Sequence, residues 1–128
     1  DFSNAAGYFS KPYVTNVTIV GEGGDVAGLS GTEAIRLRAG TQGVFSNILI
    51  QGFEEGFDLD GDAGDNPTGA GVTSGDLNVT DVTFSNVVTK VKNDTGVAFN
   101  IAGDFIKSGD GNATGTDFAT WGAGWSRE

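Results

Sequence analysis

The sequence contains no cysteine and no histidine. Without cysteine, the chain forms neither disulfides nor thiolate metal sites. Without histidine, it has no imidazole base, which excludes a Ser-His triad and ordinary zinc or copper sites. No apolar run approaches the roughly 20 residues that a membrane-spanning helix needs, so we expect no membrane insertion.

Basic residues are also scarce, with 7 Lys and Arg against 17 Asp and Glu, for a formal net charge of −10. Nucleic acids and anionic membranes repel such a chain, so we expect neither as a partner. Methionine is absent and the sequence begins at Asp1, from which we expect a processed product or a fragment. Six acidic residues fall within twelve positions: Glu54, Glu55, Asp58, Asp60, Asp62 and Asp65.

Helical patterns are nearly absent from the sequence. Glycine accounts for 22 of the 128 residues and interrupts almost every window of ten, and no segment keeps an apolar stripe at helical spacing. Short alternating segments are frequent, for example at residues 34–38 and 56–60. These patterns predict an all-β protein built from short strands and tight turns.

One short pattern occurs three times, as "VTNVTIV" (14–20), "FSNILIQ" (45–51) and "VTDVTFS" (79–85). Its apolar residues stand at offsets zero, three and five, so a straight strand would place the first on the opposite face. A bend at the polar pair turns all three inward, and Asn and Asp tolerate the left-handed backbone of such a corner. The predicted structural corner residues are Asn16, Asn47 and Asp81.

The corners recur after 31 residues (16 to 47) and 34 residues (47 to 81), a period typical of solenoids. Because the repeating elements are strands, the pattern predicts a parallel β-helix of about three coils with long loop insertions and an aromatic C-terminal cap. We interpret residues 1–128 as one unit, with coils at 14–43, 44–78 and 79–106 and a cap at 107–128 containing Phe118, Trp121 and Trp125.

The third coil has an alternative alignment five residues later, at "FSN" (84–86), and we prefer the first because it keeps coil lengths more even. Nothing before Val14 has the polar character of a cap for the first coil. An uncapped solenoid leaves backbone groups and apolar side chains exposed. We therefore expect this end to stack on further coils or on identical subunits.

Stacking "AIRLR" under "GFDLD" predicts a specific register between the first two coils. Ile35 and Leu37 then lie beside Phe57 and Leu59 in the interior. On the outside, the same register predicts an ion-pair ladder of Arg36 with Asp58 and Arg38 with Asp60. Exposed pairs of this kind contribute about 0.2–1 kcal/mol each, so they specify register more than stability.

The strings "YFSKPYVTNVTIVG", "EAIRLRAGTQGVFSNILIQGF", "GFDLDGD" and "WGAGW" resemble the C-terminal coils of large secreted surface β-helix proteins of Bacteroidetes and marine gammaproteobacteria. The resemblance covers most of residues 8–62 and the Trp tail. It implies a right-handed β-helix and secretion or location on the bacterial cell surface. It carries over no catalytic residue, and those proteins are several times longer than this chain.

Two acidic segments offer the hard oxygen ligands that calcium prefers, so calcium is a candidate cofactor. Neither completes an EF-hand loop, because the closing Glu is missing from both, and turn chemistry or a solvated loop explains either segment equally well. The candidate sets are Asp110, Asn112, Thr114 and Asp117, or Asp58, Asp60, Asp62 and Asp65.

Polysaccharide processing is the enzymatic alternative, since a glycosidase needs two carboxylates about 5–9.5 Å apart. Asp58 with Asp60, or Glu54 with Glu55, are candidate pairs, and a lyase would use a base such as Arg36 or Arg38. We expect these charges to form an external ladder instead, and we assign no catalytic residue. Trp121 and Trp125 are candidates for stacking on sugar rings, although we favour their packing down as a lid.

The sequence therefore predicts a non-enzymatic, extracellular structural or adhesive β-helix segment. It would stack on further coils or on copies of itself, as part of a cell-surface fibre or matrix. The alternative is a carbohydrate-binding or polysaccharide-processing β-helix module.

Overall fold

The computed structural model describes residues 8–22, 33–61, 67–109, 111–122 and 124, except for the side chains of Phe118 and Trp121. The strands are β1 (Tyr13–Val20), β2 (Glu33–Leu37), β3 (Gly43–Asp60), β4 (Leu77–Asp94) and β5 (Ile106–Ser108). Two short helices, α1 (Thr68–Ser74) and α2 (Phe118–Trp121), and an irregular turn at Ile101–Phe105 complete these elements. No helix within these residues is long and apolar enough to cross a membrane.

All of the described strands belong to one parallel sheet in the order β1-β3-β4-β5, with β2 also paired to β3. The repeated pattern stacks on itself, since Val14 pairs with Phe45, Phe45 with Val79, and Val79 with Ile106. This arrangement confirms the all-β class and the parallel β-helix. It also confirms the preferred register of β4, in which Val79 lies beside Phe45.

Each layer turns a first corner at the polar pair of the repeated pattern. Asn16, Asn47 and Asp81 have φ angles of 57°, 54° and 58°, in the left-handed region. Asn and Asp enter this region at lower cost than most residues with a side chain. The corner rotates the chain, so that Phe45 and Ile48 both face the interior although they are three residues apart.

A second corner follows five residues later and was not part of the sequence prediction. Gly52 has a φ of 76° and lies opposite Asn86, whose φ is 50°, because their neighbours pair as Gln51 with Ser85 and Phe53 with Val87. The second "FSN" string therefore marks this corner and not an alternative register. Because of these bends, β3 and β4 are each 18 residues long without being straight.

The core is a column of inward side chains centred on Phe57. The ring of Phe57 contacts Phe45, Phe84 and Phe105 edge to face, with centroid distances of 6.2, 6.1 and 5.3 Å. Such aromatic pairs contribute about 0.5–1.5 kcal/mol each beyond their buried area. The side chain of Phe57 is fully buried and contacts residues of β3, of β4 and of the turn at Ile101–Phe105.

The segment between β3 and β4, which the prediction treats as one of the long loop insertions, contains helix α1. Its Val72 is buried in the core, and the Thr68 hydroxyl accepts a hydrogen bond from the backbone N–H of Gly40 at 3.0 Å. The helix ends at Gly75, which has a φ of 83°. A helix of seven residues carries too little periodicity to detect in a sequence, and its tertiary contacts stabilise it.

Residues 111–117, which we call the strap, cross the side of the stack from β4 back to β1. The strap receives a hydrogen bond from Thr83 of β4, bonds to Asn47 of β3, and reaches Thr18 and Asn16 of β1. This part of the predicted cap therefore lies along the side of the coils and not over the last one. The aromatic side chains assigned to the cap lie outside the described residues.

Candidate functional site

Charged side chains line the outer surface where β2, β3 and β4 lie side by side. The pairing places Arg36 next to Asp58 and Asp58 next to Lys92, so two cations flank one carboxylate. Arg36 Nε donates to Asp58 Oδ2 at 2.9 Å, and only 1% of Asp58 remains exposed. The register that the sequence predicts is the one that brings Arg36 and Asp58 together.

The second predicted pair of the ladder, Arg38 with Asp60, is not formed among the described residues. The Asp60 carboxylate instead lies 4.0 Å from Arg36 Nε, and Glu33 contacts the same guanidinium at 3.4 Å. Strand β2 ends at Leu37, and the backbone turns through positive φ angles at Ala39 and Gly40. This turn takes Arg38 out of the strand register that the prediction assumed.

Lys92 is the second cation of the network, and the sequence analysis did not predict its role. Its Nζ lies 3.1 Å from both Glu55 and Asp94. The predicted register of β4 against β3 places Lys92 beside Asp58. A cation on β4 next to the acidic residues of β3 could therefore be predicted from the sequence. The outer face is therefore a network of two cations and several carboxylates, not two isolated pairs.

The network keeps its cations protonated. The charge of Asp58, and next that of Glu33, raises the pKa of Arg36 above its usual value. Hydrogen bonds to Asp94 and Glu55 likewise raise the pKa of Lys92. A general base must release its proton near the working pH. Because its pKa is raised, Arg36 is poorly suited to act as the base of an elimination reaction.

One atom of the network lacks a hydrogen-bond partner. Asp58 Oδ1 is buried and accepts no hydrogen bond from the described residues, while its Oδ2 is paired with Arg36. A buried carboxylate oxygen left in this state costs free energy. The carboxylate of Asp58 is therefore hydrogen-bonded through Oδ2 alone, to the guanidinium of Arg36.

The calcium candidates are only partly covered by the structure. Asp62, Asp65 and Asp110 lie outside the described residues, and Asp58 and Asp60 both contact Arg36. In the second set, Asp117 Oδ1 accepts a hydrogen bond from the backbone N–H of Thr120. The side-chain hydroxyl of Thr120, followed by this N–H, lowers the pKa of Asp117. The described part of the chain contains no group of three or more acidic side chains placed to hold a metal ion.

A groove lies between the first corner and the C-terminal segment. Its described walls present hydroxyl, amide and carboxylate groups, contributed by Thr15, Asn16, Thr18, Asn47, Thr114, Gly115, Thr116, Asp117 and Thr120. Thr18, Leu49 and Thr83 are paired positions on β1, β3 and β4, and the strap lies against all three side chains. Trp125 and the side chain of Trp121, the predicted sugar-stacking residues, lie outside the described part of the chain.

The corner side chains connect the strap to two layers. Asn47 Nδ2 donates to Asn16 Oδ1 at 2.8 Å and to the Gly115 carbonyl at 3.1 Å. Asn47 Oδ1 accepts from the backbone N–H groups of Thr114 and Gly115. Asp81, the corner of β4, packs against Gly109. A sequence pattern identifies the corners, but it does not reveal that residues 67 positions away bond to them.

The first layer of the stack is less buried than the layer that contains β3. Val17 and Ile19 of β1 are half-buried, whereas their partners in β3, Ile48 and Ile50, are fully buried. Within the described residues, β1 and β2 pair with β3 on one side only. The other side, which we call the β1 edge, has no strand partner among the described residues and presents partly exposed apolar side chains.

Comparison with known proteins gives one match. A family model described as a pectate-lyase-like β-helix domain matches residues 1–126. Neither the curated proteins nor the solved structures contain a significant match.

Proposed function

The chain belongs to the pectate-lyase-like β-helix domain family, and we propose that it is a non-enzymatic structural or adhesive module. In this proposal the β1 edge binds another β-helix coil, either further coils of a longer solenoid or a second copy of the chain. The proposal also locates the module outside the cell, in a fibre or matrix at the cell surface, as the resemblance to secreted bacterial surface proteins implies.

The observation that carries this proposal is the incomplete burial of the first layer. Val14, Val17 and Ile35 pack against the core but are only partly covered. Ile19 is likewise half-buried, although its partner Ile50 is fully buried. Burying apolar surface is worth about 25 cal/mol per Å², so another coil on this edge would gain free energy. Exposed sheet edges are also the usual site of strand addition.

The charged network supports a structural role over a catalytic one. Its cations are paired with carboxylates, and its most buried carboxylate, Asp58, is bonded to Arg36. This network joins β2, β3 and β4 and so holds three strands in register. The surface it forms is acidic overall, consistent with the net charge of −10.

Sedimentation velocity over a range of concentrations tests the second copy as partner. We expect the mass to rise with concentration, and we expect Val17→Lys to abolish this rise by placing an ammonium group on the β1 edge. Val88→Lys is the matched control, because Val88 is 65% exposed on β4 and away from this edge. A chain that stays monomeric and also fails to bind a peptide of residues 43–53 contradicts the proposal.

The groove between the first corner and the C-terminal segment favours carbohydrate binding as a second function. Hydroxyl and amide groups such as Thr15, Asn16 and Thr120 match the hydrogen-bonding groups of a sugar. Binding on a glycan array that falls with Trp121→Ala or Trp125→Ala would support the stacking role predicted for these residues. Binding that survives both substitutions contradicts that role.

Calcium remains a prediction for the Asp110 set and the Asp58 set. An ion held by either set would stabilise the folded chain by mass action. Adding EDTA would then lower the melting temperature, and adding calcium would restore it. A melting temperature that EDTA leaves unchanged contradicts a structural ion.

A further inference from the structure

Strand β1 is attached to the rest of the sheet on one side only. It pairs with β3, and no described strand lies on its other side. Its inward Val17 and Ile19 are half-buried, whereas Ile48 and Ile50 of β3 are fully buried. Segments with few buried apolar contacts open at a lower free energy than the core of a protein. We therefore expect β1 to detach before β3 and β4 separate, unless another element holds it.

The strap holds β1 through one residue, Thr116. Its backbone N–H donates to Thr18 Oγ1 at 3.0 Å, and its hydroxyl donates to the carbonyl oxygen of Asn16. The preceding residue, Gly115, lies against Thr18 and Leu49 with no room for a Cβ atom. The strap therefore fits closely over the corner of β1.

The strap is itself fixed to β3 and β4. The side-chain oxygen of Asn47 accepts from the N–H groups of Thr114 and Gly115 at 2.8 and 3.1 Å. The Thr83 hydroxyl donates to the carbonyl oxygen of Ala113 at 2.7 Å. Three consecutive residues of the strap are thus bonded to β3 and β4, and the next residue reaches across to β1. The part of the strap that anchors it is therefore separate from the residue that holds the first layer.

From this arrangement we infer that the strap is a latch, and that the first layer opens as a unit of its own when the two hydrogen bonds of Thr116 break. In the open form β3 and β4 remain paired, and the strap remains bonded to Asn47. Opening uncovers the edge of β3, whose Phe45, Ile48 and Ile50 are buried while β1 is in place. The inference goes beyond the proposed function, because it concerns a movement of this chain whether or not another coil binds at the β1 edge.

Two neighbouring backbone groups of β3 report on this opening. The N–H of Val44 donates to the Pro12 carbonyl at 3.0 Å, on the side of β1. The N–H of Gly43 donates to the Asp76 carbonyl at 2.7 Å, on the side of β4. At the far end of β1, the N–H of Gly21 donates to β3 at 2.8 Å. Opening of the first layer breaks the bonds of Val44 and Gly21 and leaves that of Gly43 intact.

Native-state hydrogen exchange of the full chain measures this difference. The exchange is run on dilute, monomeric protein, so that a second copy at the β1 edge cannot protect the amides, and it is read by NMR after quenching. We expect the protection factors of Val44 and Gly21 to be at least about tenfold below that of Gly43. Equal protection at all three amides would mean that the sheet opens as one unit, and it would overturn the inference.

The variant Thr116→Val tests the latch, because it keeps the shape of the side chain and removes the hydroxyl that donates to β1. The protection of Gly21 should fall by about threefold to tenfold, the ratio that one net hydrogen bond provides, and that of Gly43 should not change. Thr114→Val is the matched control, since Thr114 is exposed and, among the described residues, only its backbone N–H is bonded, to Asn47. No fall with Thr116→Val, or an equal fall with Thr114→Val, would contradict the latch.

A second variant tests the separate opening without touching the strap. Ile19→Ala removes apolar surface that the closed form partly covers, so it should lower the protection of Gly21 about fivefold and leave that of Gly43 unchanged. An equal loss at Gly43 would show that Ile19 stabilises the whole sheet, and the first layer would then not be a unit of its own.

Discussion

Ile19 and Ile50 form a natural comparison between two regions of the molecule. They are the same residue type, occupy the same position of the repeated pattern, and pair directly across β1 and β3. Ile50 is fully buried, whereas Ile19 is only partly covered. In a solenoid, the burial of an inward residue therefore depends on having a coil on both sides.

The corner amides repeat this contrast in polar form. Asn47 uses both its oxygen and its nitrogen in hydrogen bonds to the strap and to Asn16. Asn16, one layer further out, uses its oxygen and leaves its amide hydrogens without a partner in the described residues. Within the described part of the chain, the apolar and polar groups of the first layer thus have a neighbouring coil on one side only.

Truncating the two isoleucines gives the largest expected effect. Ile50→Ala should lower the free energy of unfolding by about 2–5 kcal/mol, because it leaves a cavity in a closed core. Ile19→Ala should cost about 1 kcal/mol or less, since its side chain is partly hydrated before the substitution. Urea unfolding of both variants measures the difference, and equal losses would contradict the comparison.

Replacing the corner amides by glycine tests the polar contrast. Glycine keeps the left-handed backbone available, so the substitution reports on the side chain alone. Asn47→Gly should destabilise the chain by about 2 kcal/mol, because backbone groups of the strap lose their partner. Asn16→Gly should cost less than about 1 kcal/mol. A stability loss for Asn16→Gly as large as that for Asn47→Gly would be inconsistent with the hydrogen bonds described.

On the outer surface, the same kind of comparison can be made between the buried Asp58 and the more exposed Asp60 of the charged network. Asp58→Asn removes the charge of a buried carboxylate bonded to the guanidinium of Arg36, and we expect a loss of about 1–2 kcal/mol in thermal or urea unfolding. Asp60→Asn affects a more exposed group 4.0 Å from the same guanidinium, and its effect should stay below about 0.5 kcal/mol. If Asp60→Asn were the more damaging, the assignment of the principal ion pair would be wrong.

The smallest expected effect concerns Lys11 and Asp76, which join the segment before β1 to the segment before β4 at 2.7 Å. The hydrogen bond from Lys11, followed by that from Ser74, lowers the pKa of Asp76 below its ordinary value of 3.8. A lowered folded-state pKa means that this contact stabilises the fold above about pH 3.8 and that the stabilisation is lost as the pH falls through the folded pKa.

The substitution Lys11→Met tests this contact. It should raise the pKa of Asp76 toward 3.8 without reaching it, because the Ser74 hydroxyl still donates to the carboxylate at 2.8 Å. An NMR titration of the Asp76 carboxyl carbon measures the change. No shift on substitution would show that the contact is not maintained in solution.

Much of the stack was predictable from the sequence because local chemistry dictates it. The offset of three between Phe45 and Ile48 requires a bend, and Asn47 is a residue that accepts the bend's backbone. The pairing of Arg36 with Asp58 followed from stacking two alternating segments, since a shift of one residue would reverse their faces.

The remainder depended on contacts between distant residues. Nothing local in "ATGT" (113–116) indicates that it bonds to Asn47 and Thr18, because the segment has neither strand nor helix periodicity. Helix α1 is short and stabilised by Val72 in the core, which no pattern within seven residues reveals. Arg38 was misplaced relative to Asp60 because the backbone turn at Ala39 uses a residue that rarely adopts positive φ.

The strap also sets a limit on how this molecule can lengthen during evolution. It spans from Thr83 to Thr18 with few residues, and each additional layer would increase that span by about 4.8 Å. An internal duplication between β1 and β4 would therefore have to lengthen the strap by one or two residues as well. New layers added beyond the β1 edge meet no such restriction, so growth at that end is the simpler genetic route.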